Sequence, residues 1–174
     1  FAEDTSLDLD LAQYVDDLED TFQQLKWNFT PSPGLVASYT KATGVLRLQA
    51  GAEASGNYSL GVRVFDSNLG TVSRTVTVVV ATVNDPPTLA VPDTAFAQGT
   101  SLTLQLTRFA GDVDHGTAAL AFSVRPGAHV TAQITAGSSL TLSAPASYFG
   151  VDTIAITATD PAGAVAVDTV RVAV

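Results

Sequence analysis

The sequence predicts an all-β chain built as two tandem β-sandwich modules joined by a short proline-containing linker. The chain matches itself at an offset of 95, with Phe1-Ala2 falling on Phe96-Ala97, and this spacing marks tandem modules. Apolar residues alternate with polar ones along short, β-branched stretches, the period of a half-buried strand. Midway, Val83-Asn84-Asp85-Pro86-Pro87 interrupts both patterns. Its two prolines fix φ and stop any strand, so the connector is stiff rather than a flexible coil. The expected organisation is module one over residues 1–82, linker over 83–87, and module two over 88–174.

In chain order, Leu7, Leu9 and Leu11 point inward while Asp8 and Asp10 face water. The stretch 12–24 is ambiguous, because Leu11, Tyr14, Val15, Leu18, Phe22 and Leu25 recur at helical spacing. Its counterpart in module two carries Gly111 and Gly116 and no such stripe, which favours a long loop with a single helical turn. Leu25, Trp27 and Phe29 form the next inward row, followed by Leu46 and Leu48, then Leu60, Val62 and Val64. Val76, Val78 and Val80 complete the module. Leu102, Leu104 and Leu106, then Ile154, Ile156 and Ala158, then Val170, Val172 and Val174 repeat these rows. About seven strands in roughly 90–100 residues is the size of an immunoglobulin-like sandwich. Residues Pro87 to Ala95 have no counterpart before Phe1. Module one is therefore expected to lack its opening strand, either because the chain is a segment of something longer or because another chain supplies the strand.

The chain is 46% hydrophobic and 14% charged, enough apolar surface for packed cores. A net charge of −9 excludes nucleic acid and anionic membrane as natural partners and favours a divalent cation. Cysteine is absent, so neither a disulfide framework nor a thiolate metal site can form. No apolar run is long enough to insert into a membrane, and Phe1 is not a natural start. The two histidines, His115 and His129, have no Ser or Cys nucleophile pattern beside them, and they cannot assemble a zinc centre. The chain therefore reads as no enzyme. Trp27, Phe29 and Phe122 sit at matched inward positions, which marks core rather than a sugar platform.

Calcium takes six to eight hard oxygen ligands, several of them carboxylates, on a backbone that can wrap around it. Asp112, Asp114 and Asp160 fall in loops at one end of module two, where Asn84 and Asp85 enter. Glu3 and Glu53 fall in loops at the facing end of module one. Together these seven residues are the candidate junction site. Asp17, Glu19 and Asp66 form the equivalent, weaker half-site at the free end of module one.

The arrangement resembles a cadherin repeat, and more closely the cadherin-like and dystroglycan-type immunoglobulin-like repeats of bacterial surface proteins. Thr82-Val83-Asn84-Asp85-Pro86-Pro87 is similar to the family's Asp-x-Asn-Asp-Asn-x-Pro linker in its bacterial Val-Asn-Asp-Pro-Pro form. Glu3 matches the family's glutamate before the second strand, and Glu53 stands near its Asp-Arg-Glu loop. Asp112-Val113-Asp114 matches its Asp-x-Asp, and Ala158-Thr159-Asp160 its Ala-x-Asp. Thr82 and Pro86 replace an acid and an amide, so the resemblance implies fewer calcium ions than the family's usual three.

The function expected is that of a structural or adhesive spacer in a secreted or surface-exposed bacterial protein, rigidified by calcium at the junction. Two alternatives stay open: a subunit of an extracellular filament assembled by strand complementation, and a carbohydrate- or protein-binding accessory module of a secreted enzyme. The expected partners are neighbouring repeats or homotypic chains, with a cell-surface protein or polysaccharide as a further class.

Overall fold

A computed structural model describes residues 1–174, and its internal contacts divide the chain into two units, Phe1–Val83 and Asn84–Val174. The first unit contains β1 (Ser6–Asp10), β2 (Lys26–Pro31), β3 (Leu35–Thr40), β4 (Val45–Ala50), β5 (Gly56–Phe65) and β6 (Thr71–Val80). They form two antiparallel three-stranded sheets, ordered β1-β4-β3 and β2-β5-β6. Leucines set the register of the first sheet: Leu7 faces Leu48 and Leu9 faces Leu46. Leu46, Leu48, Leu60, Val78 and Val80 are buried between the sheets, with Trp27 and Phe29 packed against them. On the outer face, Arg47 forks onto Asp8 with two hydrogen bonds of 2.7 Å, a cross-strand pair that alternation puts in water.

The second unit contains β7 (Thr88–Leu89), β8 (Thr94–Ala95), β9 (Ser101–Gln105), β10 (Ala110–Gly111), β11 (Ala121–Arg125), β12 (Thr131–Thr135), β13 (Ser139–Ser143), β14 (Val151–Thr159) and β15 (Val165–Ala173). Its sheets are ordered β9-β13-β12 and β11-β14-β15-β8, and β7 pairs with β10. Strand β8 joins β15 in parallel, while the other pairings are antiparallel. Leu140, Leu142, Ile154, Ile156, Val170 and Val172 fill the space between the sheets. Burying each of these side chains is worth roughly 1.5–3 kcal/mol, and the alternation that buries them sets Thr141, Ala155 and Arg171 on the opposite face of their strands.

The ambiguous stretch 12–24 holds one 3-10 turn, Leu11–Gln13, capped by Asp10, whose Oδ1 accepts the Ala12 N–H at 3.1 Å. Tyr14 and Leu18 are exposed, so the helical spacing of apolar residues buries no stripe. The second unit repeats the turn at Leu106–Arg108. Both units are thus all-β sandwiches of immunoglobulin-like size, and shared backbone outweighs local periodicity in the one segment where the two conflict.

Candidate metal centre

Three loops of the second unit converge: Asn84-Asp85 ahead of β7, the loop 112–116 after β10, and the turn 160–164 after β14. The last two are each shaped by their own carboxylate. Asp112 Oδ1 accepts the backbone N–H groups of Asp114 (3.0 Å) and His115 (2.6 Å), an Asx-type turn that folds the loop back on itself. Asp160 Oδ1 accepts the Ala164 N–H at 2.8 Å, and the Gly163 N–H donates to the Asp160 carbonyl oxygen at 3.2 Å. Gly163 turns there at φ 96°, a conformation glycine adopts without strain.

The linker is then fastened to both loops. Asn84 Nδ2 donates to Asp160 Oδ2 at 2.6 Å, and the Asp85 N–H donates to Asp114 Oδ2 at 2.8 Å. The Asn84 amide holds the Asp160 carboxyl below its ordinary value; burial opposes this, and the N–H groups of Ala164, Gly163 and Ala162 add to it.

Asp112 is the unusual member. Its side chain is 0% exposed, and its Oδ2 is buried with no hydrogen-bond partner. Buried oxygens are nearly always partnered, so an ionisable oxygen left over points to a ligand. Ligand atoms of Asp112, His115 and Asp160 lie within 4.8 Å of one another. His115 Nδ1 is 3.2 Å from Asp112 Oδ1, so backbone and imidazole together hold that oxygen and leave Oδ2 over. Asp85 Oδ2 is likewise without a partner. The donor set is rich in hard oxygens, the chemistry that suits calcium.

A family model for the bacterial Ig domain matches residues 84–173, just over half of the chain. The chain belongs to the bacterial Ig domain family. Among solved structures, this bacterial Ig chain is similar to domains EC21–23 of human CDH23, at 14% identity and TM-score 0.50, over 87% of this chain and 58% of that one. It is similar to cadherin domains 3–6 of protocadherin Gamma B2 at the same identity and TM-score, over 87% and 39% of the two chains. SGBP-B of the Bacteroides ovatus mixed-linkage glucan utilization locus, in complex with a mixed-linkage heptasaccharide, aligns at 18% identity and TM-score 0.38 over 98% of this chain and 41% of that one. The bacterial Ig chain thus spans between 39% and 58% of the length of these three solved chains, and the two cadherin likenesses describe its fold. No curated protein matches it.

The remaining sequence-derived candidates belong to the first unit of this bacterial Ig chain. Glu3 is buried, and its Oε1 accepts the Val83 N–H at 2.8 Å, tying the end of the unit to its start. Glu53 is exposed on the loop between β4 and β5, in the left-handed region at φ 55°. Asp17 Oδ1 accepts the N–H groups of Asp20 (2.8 Å) and Glu19 (2.9 Å), which hold its carboxyl below the ordinary value. Asp66 Oδ1 accepts the N–H groups of Gly70 and Asn68, and Glu19 Oε2 accepts Asn68 Nδ2 at 3.1 Å. Asp17 and Asp66 thus each close a turn of their own loop.

Two loop side chains stood outside the candidate set read from the sequence. His115 lies one residue beyond Asp-x-Asp, where a lone imidazole carries no spacing signal. Asp20 takes the corresponding position in the first unit, and its oxygens accept Ser67 N–H at 2.6 Å and Ser67 Oγ at 2.9 Å. The repeat alignment could have paired Asp20 with His115 directly.

Proposed function

We propose that this chain is a non-enzymatic, structural module of an exported bacterial surface protein, and that its second unit binds calcium. Asp112, Asp160 and Asp114 are the carboxylate ligands, with Asn84 and Asp85 completing the set from the linker. The unpartnered, buried Asp112 Oδ2 carries the reading. The ion would supply charge neutralisation, so that three carboxylates and the linker share one place without repulsion. Holding Asn84-Asp85 against the second unit is then the function of the site: it removes freedom from a connector that two prolines already stiffen. Partners are expected among neighbouring repeats of the same protein.

The test is thermal unfolding of the 174-residue chain in chelator, in millimolar calcium and in millimolar magnesium. A folded-state site saturated a hundredfold over its Kd adds about 2.7 kcal/mol, which is of order 10 °C in a module of this size. Asp112→Asn and Asp160→Asn should each remove the calcium increment while leaving the chelator curve nearly in place. Coincident curves in calcium and chelator would refute the site.

A further inference from the structure

The sheet β9-β13-β12 turns Leu102, Leu104, Leu140 and Leu142 towards the core of the second unit. Strand alternation puts the residues between them on the outer face. In its middle row Thr103, Thr141 and Gln133 stand side by side across the three strands. The rows above and below are Ser101-Ser143-Thr131 and Gln105-Ser139-Thr135. Every one of these side chains is an uncharged hydroxyl or amide. Those on the two edge strands are exposed, and those on β13 are half-buried between them. Strand spacing and rise make the face roughly 10 Å by 14 Å, the footprint of a short oligosaccharide.

The same face of the first unit is built differently. Asp8 and Arg47 stand in the places of Thr103 and Thr141 and pair as ions at 2.7 Å, and Asp10 stands in the place of Gln105. Val36, 60% exposed, and Val45 hold the places of Thr131 and Ser139. Three charges and two valines thus all give way to hydroxyl or amide groups in the second unit. Edge strands ordinarily carry charge to keep other sheets away, and the outer faces of β9 and β12 carry none. Some of the hydroxyls are linked to one another: Thr131 Oγ1 is 2.7 Å from Ser143 Oγ, and Thr103 Oγ1 is 3.3 Å from Thr141 Oγ1. The Gln105 and Gln133 amides make no hydrogen bond within the protein, which leaves their donors and acceptors open to a ligand.

We infer that this outer face of the second unit is a binding surface for a neutral polysaccharide. Charge decides between the occupants. An anionic polymer is repelled by a chain of net charge −9 and finds no cation on the face to offset that. A basic partner finds no carboxylate there, since all 17 acidic residues lie elsewhere. An apolar protein surface would strand the hydroxyls and amides without partners. A sugar ring carries hydroxyls at its edge and C–H groups on its faces, and threonine answers both with its Oγ1 and its methyl. Each hydrogen bond exchanged with water contributes little alone, so affinity accumulates by repetition along an extended polymer. The surface uses none of the candidate calcium ligands. The inference therefore goes beyond the structural reading and does not depend on the cation.

Affinity electrophoresis tests it. The 174-residue chain is run in native gels containing soluble β-glucan, galactomannan, dextran or starch, with alginate as the anionic control. Retardation by at least one neutral polymer is expected, and none by alginate. Thr103→Asp combined with Thr141→Arg installs the ion pair that the first unit carries in the same register, and should raise the apparent Kd about tenfold, the effect of one or two lost hydrogen bonds. Gln133→Lys, at an exposed edge position away from the core, should act in the same direction and keeps the test sound should the double variant fold poorly. Asp8→Thr with Arg47→Thr, in the first unit, should leave the retardation in place. No retardation by any of the neutral polymers, or equal retardation of the parent and the Gln133→Lys variant, would overturn the proposal. So would stronger retardation by alginate than by every neutral polymer. Self-association in sedimentation that Gln133→Lys abolishes would seat a second copy on the face, and would overturn the polysaccharide assignment.

Discussion

Asp152 shows how much one carboxylate can organise. Its oxygens accept four backbone N–H groups, from Val130 and His129 at 2.8 and 2.7 Å, from Thr153 at 2.8 Å and from Ala128 at 3.2 Å. Burial pushes its pKa up, but these four donors outweigh it and hold the group at about 2. An unfolded aspartate titrates near 3.9. The folded value is the lower, so Asp152 adds stability above about pH 4 that is lost as pH falls towards 2. Urea titrations at pH 7 and pH 3 should therefore show a smaller acid loss in Asp152→Ala than in the parent. At pH 7 that variant should itself be less stable by about 2 kcal/mol, the scale of lost hydrogen bonds to a charged group. Gly127 shares the arrangement, since a Cβ there would run into the Asp152 carboxylate. Gly127→Ala should consequently lower the melting temperature. Little of this is legible in the sequence: Asp152 reads as an ordinary polar position of an alternating strand, and three of its four partners come from a loop more than twenty residues away. Asp112 and Asp160 were legible because loop position and repetition both marked them.

Strands carry the fold, and their period made them readable. Leu140 faces Leu104 and Leu142 faces Leu102, and the same ladder recurs as Leu46 with Leu9 and Leu48 with Leu7. Leu140 and Leu142 are fully buried, so truncation opens a cavity that the closely packed sheets fill poorly. Leu142→Ala should cost about 2–5 kcal/mol in chemical unfolding, while Val167→Ala, at an exposed position on β15, should cost little. The short strands β7 and β8 were harder to read. They are two residues each, set among Pro86, Pro87 and Pro92, and prolines cannot donate to a ladder. Only the sandwich architecture, which calls for an opening edge strand, pointed to a strand there. The stretch 12–24 misled in the opposite sense, since residues at helical spacing need an apolar surface to cover, and Tyr14 and Leu18 find none.

At the scale of the molecule, the two units carry different reporters. Trp27 belongs to the first, and the candidate calcium ligands Asp112 and Asp160 belong to the second. Unfolding followed by Trp27 emission should precede unfolding followed by far-ultraviolet circular dichroism, because Val62, Val64 and Val76 of the first unit are less buried than Ile156, Ala158 and Val170, their counterparts in the second. Calcium should then move the later transition alone. One merged transition that shifts as a whole would show that the units unfold cooperatively.

The parallel pairing of β8 with β15 has a consequence under load. The Phe96 N–H donates to the Ala173 carbonyl at 3.1 Å, beside Thr94 and Ala95 opposite Val172 and Ala173. In the first unit the same geometry recurs at the Ala2–Ala81 bridge, where the Ala81 N–H donates to the Phe1 carbonyl and the Glu3 N–H to the Ala81 carbonyl, each at 2.9 Å. Strands that run side by side in one direction are drawn past each other when a unit is tugged at its entry and exit. Their bonds are then sheared together rather than peeled one at a time, and rupture waits on the slow unfolding step.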